Sequence, residues 1–248
     1  MIVWALFDSG SGCYLQAAKN FEEIEIYSIG IDIGQKHDHF INLNLADYGR
    51  IFGNDKLFNT LDQLPNPNLI IASPPCESWS NASSMRGGNA SWKQEQADSL
   101  FLPQIPLSRF TVRDYKDYEG LQFKPEKSFL NRINGELCIF NTIEIIKRYE
   151  PNFYVIENPA YDRIWEYIDR ILGFKIPFEN LAYYGNYGYP LAKPTKFGSD
   201  VDLHLKSAKI GSAIHFNNFS RSYNERSNIP INLIEDIYRA ILKKGVTA

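Results

Sequence analysis

Ile2-Val3-Trp4-Ala5-Leu6-Phe7-Asp8-Ser9-Gly10-Ser11-Gly12 is the stretch on which the reading of this chain turns. A short apolar run passes into a glycine-rich turn, and Cys13–Phe21 then reads as a helix. A strand that opens a helix through glycines lets the backbone approach a ligand closely and offers it the free N–H groups of the helix start. The same alternation continues downstream. Ile24–Ile31, Ile41–Leu45, Leu69–Ser73 and Phe153–Glu157 read as four more strands. Leu137, Phe140, Ile143, Ile146 and Tyr149 recur every three residues and mark a helix that Pro151 stops. Ile164, Trp165, Ile168 and Ile171 mark another, and a last helix begins at about Pro230 with Ile231, Ile234, Ile237 and Ile241 on one side. Strands alternating with helices predict an α/β fold around a mostly parallel central sheet.

Composition narrows the class. The 248 residues are 44% hydrophobic and 22% charged, which excludes collagen, a long coiled coil and wholesale disorder. No apolar run nears the ~20 residues that span a bilayer. The first residues lack a cationic start and a cleavage site, so no secretory leader is expected. Cys13, Cys76 and Cys138 are an odd number in a large chain, which argues against a disulfide framework and for a reduced, cytoplasmic protein. The net charge is −3, yet from Asn186 to Ala248 nine Lys/Arg face five Asp/Glu. A basic last quarter on an acidic body is compatible with local contact to phosphates. Two regions resist the pattern: Asn81–Asn131, polar and irregular like a functional loop or lid, and Ser199–Asn228, rich in Asn and Ser.

The strand ends carry the chemistry. Asp32 ends the second strand, 20 residues beyond Gly12, where a carboxylate accepts both hydroxyls of a ribose. Asp47, placed at the end of the third, is within reach of an adenine amino group. These ends outline a crevice at the carboxyl edge of the sheet, where open α/β folds bind ligands. At the fourth, Ser73-Pro74-Pro75-Cys76 forms a rigid extended turn that holds a thiol at a fixed place on the rim. At the fifth, burial after Phe153-Tyr154-Val155-Ile156 raises the pKa of Glu157, which suits it to donate a proton to a ring nitrogen; capping the next helix is the plainer role. His37-Asp38-His39 lacks the further ligands a metal needs and reads as a solvated loop. Tyr183, Tyr184, Tyr187 and Tyr189 suit either base stacking or packing.

Phe7…Gly10-Ser11-Gly12, Asp32, Asp47, Ser73-Pro74-Pro75-Cys76, Glu157-Asn158-Pro159 and Tyr187-Gly188-Tyr189-Pro190…Lys193-Pro194-Thr195 fall in the order of the motifs of DNA cytosine-5 methyltransferases. The chain resembles the small, phage-type members most, from about Val3 to Lys244 with gaps. The resemblance implies the S-adenosylmethionine-dependent methyltransferase (Rossmann-like) fold and methyl transfer to C5 of cytosine in DNA, in a bacterial or phage-infected cell. Cys76 would attack C6 of a flipped cytosine and Glu157 would protonate N3, with Lys193 as the third catalytic residue. Phe7, Gly10, Ser11, Gly12, Asp32, Ile33, Asp47 and Pro74 would bind S-adenosylmethionine. Ser80, Arg86, Lys193, Thr195, Lys196 and Arg221 would face DNA, with Arg226 on the same rim.

The implied organisation is a catalytic domain over 1–198 with an insert or lid at about 81–131, a short recognition-like segment over 199–226, and a helix over 227–248 that packs back. The Gly-rich motif carries one residue more than usual between Phe7 and the first glycine, and after Pro190 only Lys193 keeps a basic character. The segment before Arg226 is too short for the usual target-recognition domain. Base readout is therefore minimal, built from Asn81–Asn131, or supplied by a partner protein. Two other readings stand beside this one: an amino-methyltransferase that uses Ser73-Pro74-Pro75 without a cysteine, and a degenerate methyltransferase fold that only binds nucleic acid or a partner.

Overall fold

The computed structural model describes residues 1–8, 12–31, 37–79, 125–214, 218 and 228–245. Gly10, Ser11, Asp32, Ile33, Ser80, Arg86, Arg221 and Arg226 lie outside these, as does the expected lid up to residue 124. The described residues build one seven-stranded sheet from β1 (Ile2–Leu6), β2 (Glu25–Gly30), β3 (Phe40–Asn42), β4 (Leu69–Ala72), β5 (Phe153–Pro159), β6 (Phe178–Tyr183) and β7 (Pro194–Ser199). Its order is β3-β2-β1-β4-β5-β7-β6. The first five strands are parallel; β7 runs antiparallel between β5 and β6. The fold is thus α/β around a mixed, mostly parallel sheet, and it fits a Rossmann-like architecture.

Alternation along the central strands explains the layering. Val3, Ala5, Leu69, Ile71 and Val155 face one side and pack on α1 (Cys13–Ala18) and α5 (Ile231–Gly245) through Tyr14, Ala17, Leu233, Ile237 and Tyr238. Trp4, Leu6, Ile70, Ala72 and Ile156 face the other, against α2 (Lys56–Leu61), α3 (Pro125–Tyr149) and α4 (Ile164–Arg170). Both faces are buried, which is why these strands read as continuous apolar runs. In α5 the buried Leu233, Ile234, Ile237, Tyr238 and Ile241 form a single stripe, and the Tyr238 hydroxyl donates to the Tyr14 carbonyl at 3.3 Å. No helix among the described residues is long and apolar enough to cross a membrane.

Several boundaries differ from the sequence reading. The helix anchored by Leu137 begins at Pro125, so 125–131, expected to be irregular, are helical; proline suits a first helical position because its missing N–H has no partner there. The third strand stops at Asn42, and α2, β6 and β7 were not anticipated. The segment after β7 is fastened to the domain. Val201 and Leu203 are buried, and the Asn180 side chain donates to the Phe197 carbonyl and to Ser199 while accepting from the Leu203 N–H at 2.8 Å.

The carboxyl ends of β1 and β2 meet at Gly30, where a Cβ would stand 2.6 Å from the Asp8 carbonyl oxygen. Backbone cannot yield as a side chain would. Gly30→Ala should therefore cost about 1–3 kcal/mol, the range of overpacked sites, read as a lowered midpoint in urea unfolding.

Candidate active site

The strand order reverses at β1: the chain goes from β1 outward to β2 and β3, then returns to β4 on the other side. Such a switch point opens a crevice at the carboxyl ends. A cavity of about 300 Å³ lies there, lined from β1 by Phe7 and Asp8, from β2 by Gly30 and Ile31, from the β3 end by Leu43, Asn44 and Leu45, and by Pro75, Asn134 and Cys138. Phe7 enters it with φ of 66°, a left-handed conformation that a bulky residue holds only under constraint; its N–H donates to the Ile29 carbonyl at 2.8 Å. Gly12 precedes α1 in extended conformation. Asp47 stands beyond β3, half-buried, and accepts the Gly49 N–H at 3.0 Å, while Asn44 and Leu45 supply the cavity wall on that side. The neighbouring residue Pro75 also lines the cavity; Pro74 instead offers its carbonyl to the Asn158 side chain at 2.8 Å.

Next to this cavity, β4 and β5 bring the thiol and the acid together. Three contacts hold the Cys76 turn. Asn158 ties Pro74 to the end of β5, the Trp79 N–H closes on the Cys76 carbonyl at 3.0 Å, and the Arg163 N–H takes the Trp79 carbonyl at 3.2 Å. Trp79 is fully buried and packs on Tyr167, with 4.8 Å between ring centroids.

Glu157 is 8% exposed, and a buried carboxylate needs partners. Tyr184, from the 3₁₀ turn after β6, donates to Oε1 at 3.2 Å, and Ser73 forms a second hydrogen bond. Ser73 is in turn hydrogen-bonded to the Tyr14 hydroxyl. Lys193, itself at φ of 33° before β7, stands with Nζ 4.7 Å from the Tyr184 ring centroid and faces both Glu157 and Cys76.

Burial moves all three functional groups toward their neutral forms. It raises Glu157 above the usual carboxylate range, against the pull of Lys193, Ser73 and Tyr184. It lowers Lys193, against Glu157, Cys76 and Cys13. It pushes the Cys76 thiol up to about 12, helped by the nearby charges of Asp162, Glu157 and Glu77, while Lys193 pulls the other way. Cys13 and Cys138 are raised to about 12 as well, chiefly by burial.

Of the residues expected to face DNA, the structure places three in or beside the site. Lys193 belongs with Glu157. Thr195 is completely buried and hydrogen-bonds the Lys193 carbonyl at 3.2 Å, so no phosphate reaches it. Lys196, also expected on the DNA-facing rim, pairs through Nζ with Glu179 at 2.9 Å and lies 5.1 Å from the centre of the Trp165 ring. Sequence reasoning missed Tyr184, Ser73 and Tyr14 as partners of the acid, and Asp8 on the cavity wall. Their signal was position alone, each at or just past a strand end or at the start of α1.

No protein-family model matches the chain, and a search of curated proteins finds no match either.

The geometry fixes the expected behaviour of two variants. Tyr184→Phe removes a donor that favours the charged Glu157, so the carboxyl should titrate at still higher pH in carbon-13 spectra, with about 1–3 kcal/mol of stability lost. Lys196→Ala should leave the salt dependence of any DNA binding at the wild-type slope, because each lysine that does neutralise a phosphate of duplex DNA adds about 0.9 to that slope.

Proposed function

We propose that this protein transfers a methyl group from S-adenosylmethionine to C5 of cytosine in DNA through a transient covalent bond to Cys76. The observation that carries the reading is the convergence of Cys76 from β4, Glu157 from β5 and Lys193 from the start of β7 beside a cavity at the switch point. These are the residue types, in the places, that the resemblance requires.

The cavity suits the nucleoside part of S-adenosylmethionine: Phe7 and Leu45 offer apolar surface and Asn44 an amide. When bound, that cofactor supplies an electrophilic methyl group. The chain's own residues act on the base. The Cys76 sulfur forms a bond to C6 while Glu157 gives its proton to N3, which moves electron density to C5. After C5 is methylated its proton leaves, the C6–S bond breaks, and N3 returns its proton to Glu157.

The electrostatics are consistent with these roles. Burial shifts Glu157 in the direction that a proton donor needs. Once Glu157 is neutral, its charge no longer opposes ionisation of the Cys76 thiol, and Lys193 favours the thiolate. The acid that N3 needs and the thiolate that C6 needs are thus favoured by the same protonation state.

The deciding measurement uses tritiated S-adenosylmethionine with mixed-sequence DNA, followed by nucleoside analysis; 5-methylcytosine is the expected product. Fluorine cannot leave C5 as a cation, so 5-fluorocytosine DNA should trap the wild-type protein covalently. Cys76→Ser should abolish the trapped band, and Cys13→Ser and Cys138→Ser should retain it. Methylation without any trapped species, on DNA that carries the recognised site, removes the cysteine mechanism.

A further inference from the structure

The residues that follow β5 bridge the two parts of the chain that carry Lys193 and Cys76. The Ala160 N–H donates to the Pro194 carbonyl at 3.0 Å, next to Lys193. The Arg163 N–H donates to the Trp79 carbonyl at 3.2 Å, at the end of the turn that holds Cys76. Between these anchors the Asp162 N–H closes a turn on the Pro159 carbonyl, also at 3.2 Å. Tyr161 stands on this bridge and is 66% exposed. Its hydroxyl is hydrogen-bonded to that of Tyr183 at the end of β6, which limits the swing of the ring.

The tyrosines that the sequence suggested for base stacking have other places in the structure. Tyr183, Tyr184 and Tyr187 are buried, and Tyr189 packs edge-on against Tyr184 with 5.7 Å between centroids. Tyr161 belongs to no motif, yet it presents an aromatic ring to solvent beside the site. Charge favours a neutral contact here. Asp162 and Glu77 are negative charges close enough to act on Cys76, and Lys196 is paired with Glu179. Carboxylates so placed repel a phosphate backbone, whereas stacking needs only a flat face.

We propose that Tyr161 is a stacking platform for a base adjoining the target cytosine. The inference rests on reading the site as one that acts on a cytosine taken out of the duplex. Removal of one base from the stack exposes the faces of its neighbours, which costs free energy. A ring fixed at the rim covers one such face and holds the strand open while Cys76 and Glu157 engage the cytosine. Tyr161 is thus a positioning residue rather than a catalytic one. Every base has a π-face, so the contact tolerates any neighbouring sequence, in keeping with a chain too short for the usual recognition domain.

The test uses the full chain and short duplexes that carry the cytosine marked by the tritium assay. Tyr161→Ala should lower kcat/KM for DNA about ten- to hundredfold, the worth of one base stacked on an aromatic ring. The KM for S-adenosylmethionine should stay within about twofold. Tyr161→Phe keeps the ring and should recover all but about twofold of the loss, and Tyr183→Phe, which breaks the same hydroxyl contact, should cost no more. An abasic position is then placed in turn on either side of the cytosine. On one of these two duplexes the difference between wild type and Tyr161→Ala should vanish, a pairwise coupling that a merely structural clasp does not produce. Tyr161→Leu, which has bulk but no aromatic face, replaces the alanine variant if that one fails to fold. Wild-type kcat/KM in Tyr161→Ala overturns the proposal alone. So does a loss in Tyr161→Phe as large as in Tyr161→Ala, or a difference that persists on both abasic duplexes. A wild-type protein that methylates no cytosine overturns the functional reading together with this inference.

Discussion

A carboxylate buried at the end of β5 sets the terms for the rest of the molecule. An uncompensated charge in that place would be prohibitive, and Glu157 has partners only because four separate pieces of chain converge on it. Ser73 comes from the end of β4, Tyr14 reaches Ser73 from α1, Tyr184 comes from the turn after β6, and Lys193 from the residue before β7. The antiparallel β6–β7 pair is thus more than an edge extension of the sheet. By running back between β5 and β6, β7 carries Lys193 to the carboxyl side of a strand whose own parallel neighbours leave that way. A parallel strand in that position would present its first residue at the opposite edge.

The same constraint explains why the two halves of the crevice differ. On the β1–β2–β3 side the walls are mostly backbone, glycine and apolar side chains around a cavity, with the buried Asp8 among them. On the β4–β5–β7 side the space is taken up by a polar network whose members satisfy one another. A surface of the first kind admits a ligand by shape; one of the second kind acts on whatever group is inserted beside it. Phe7 and Lys193, both non-glycine residues with positive φ, stand one on each side. Strained backbone of this kind is retained where the surrounding contacts overdetermine it, as the Ile29 carbonyl does for Phe7.

What the sequence disclosed follows from which signals are local. The central parallel strands β1, β4 and β5 were legible because both faces are buried, so each carries an apolar run bounded by glycine, proline or a charge. α3 and α5 were legible from their spacing, yet the start of α3 was not, since the turns around Lys127 and Arg132 are polar and resemble a loop. β7 was invisible because Pro194, Lys196 and Gly198, all poor strand residues, interrupt the strand formers Thr195 and Phe197. It is a strand for reasons of packing: Gly198 lies against Trp165 and Ile176, where a Cβ would stand 2.9 Å from a ring carbon of the one and a methyl carbon of the other. The site followed the same rule. Cys76 and Glu157 were found by their places at strand ends, whereas Tyr184 and Tyr14 depend on a tertiary convergence that no local pattern announces. The pairing of Lys196 with Glu179 was likewise illegible, because charge along a sequence says nothing about which partner holds it.

Within the convergent site the charges are interdependent, and their coupling governs when the nucleophile appears. Burial shifts Glu157 and Cys76 upward and Lys193 downward, each toward its neutral form. Each departure from neutrality changes the others: a charged Glu157 stabilises a charged Lys193 and opposes the thiolate, while a charged Lys193 stabilises both anions. The reactive combination, thiolate with protonated acid and charged lysine, is one internal proton transfer away from the all-neutral state, since the proton that leaves sulfur can be the one that lysine gains. No proton need enter from water for the nucleophile to appear. A base that accepts a hydrogen bond from Glu157 keeps the proton of that acid engaged and removes the alternative in which Glu157, rather than Cys76, ionises against Lys193. On the function proposed above, binding of the ring in the correct orientation would itself favour the thiolate, while the burial that shapes the site holds the Cys76 thiol un-ionised and shields it from oxidation and stray alkylation.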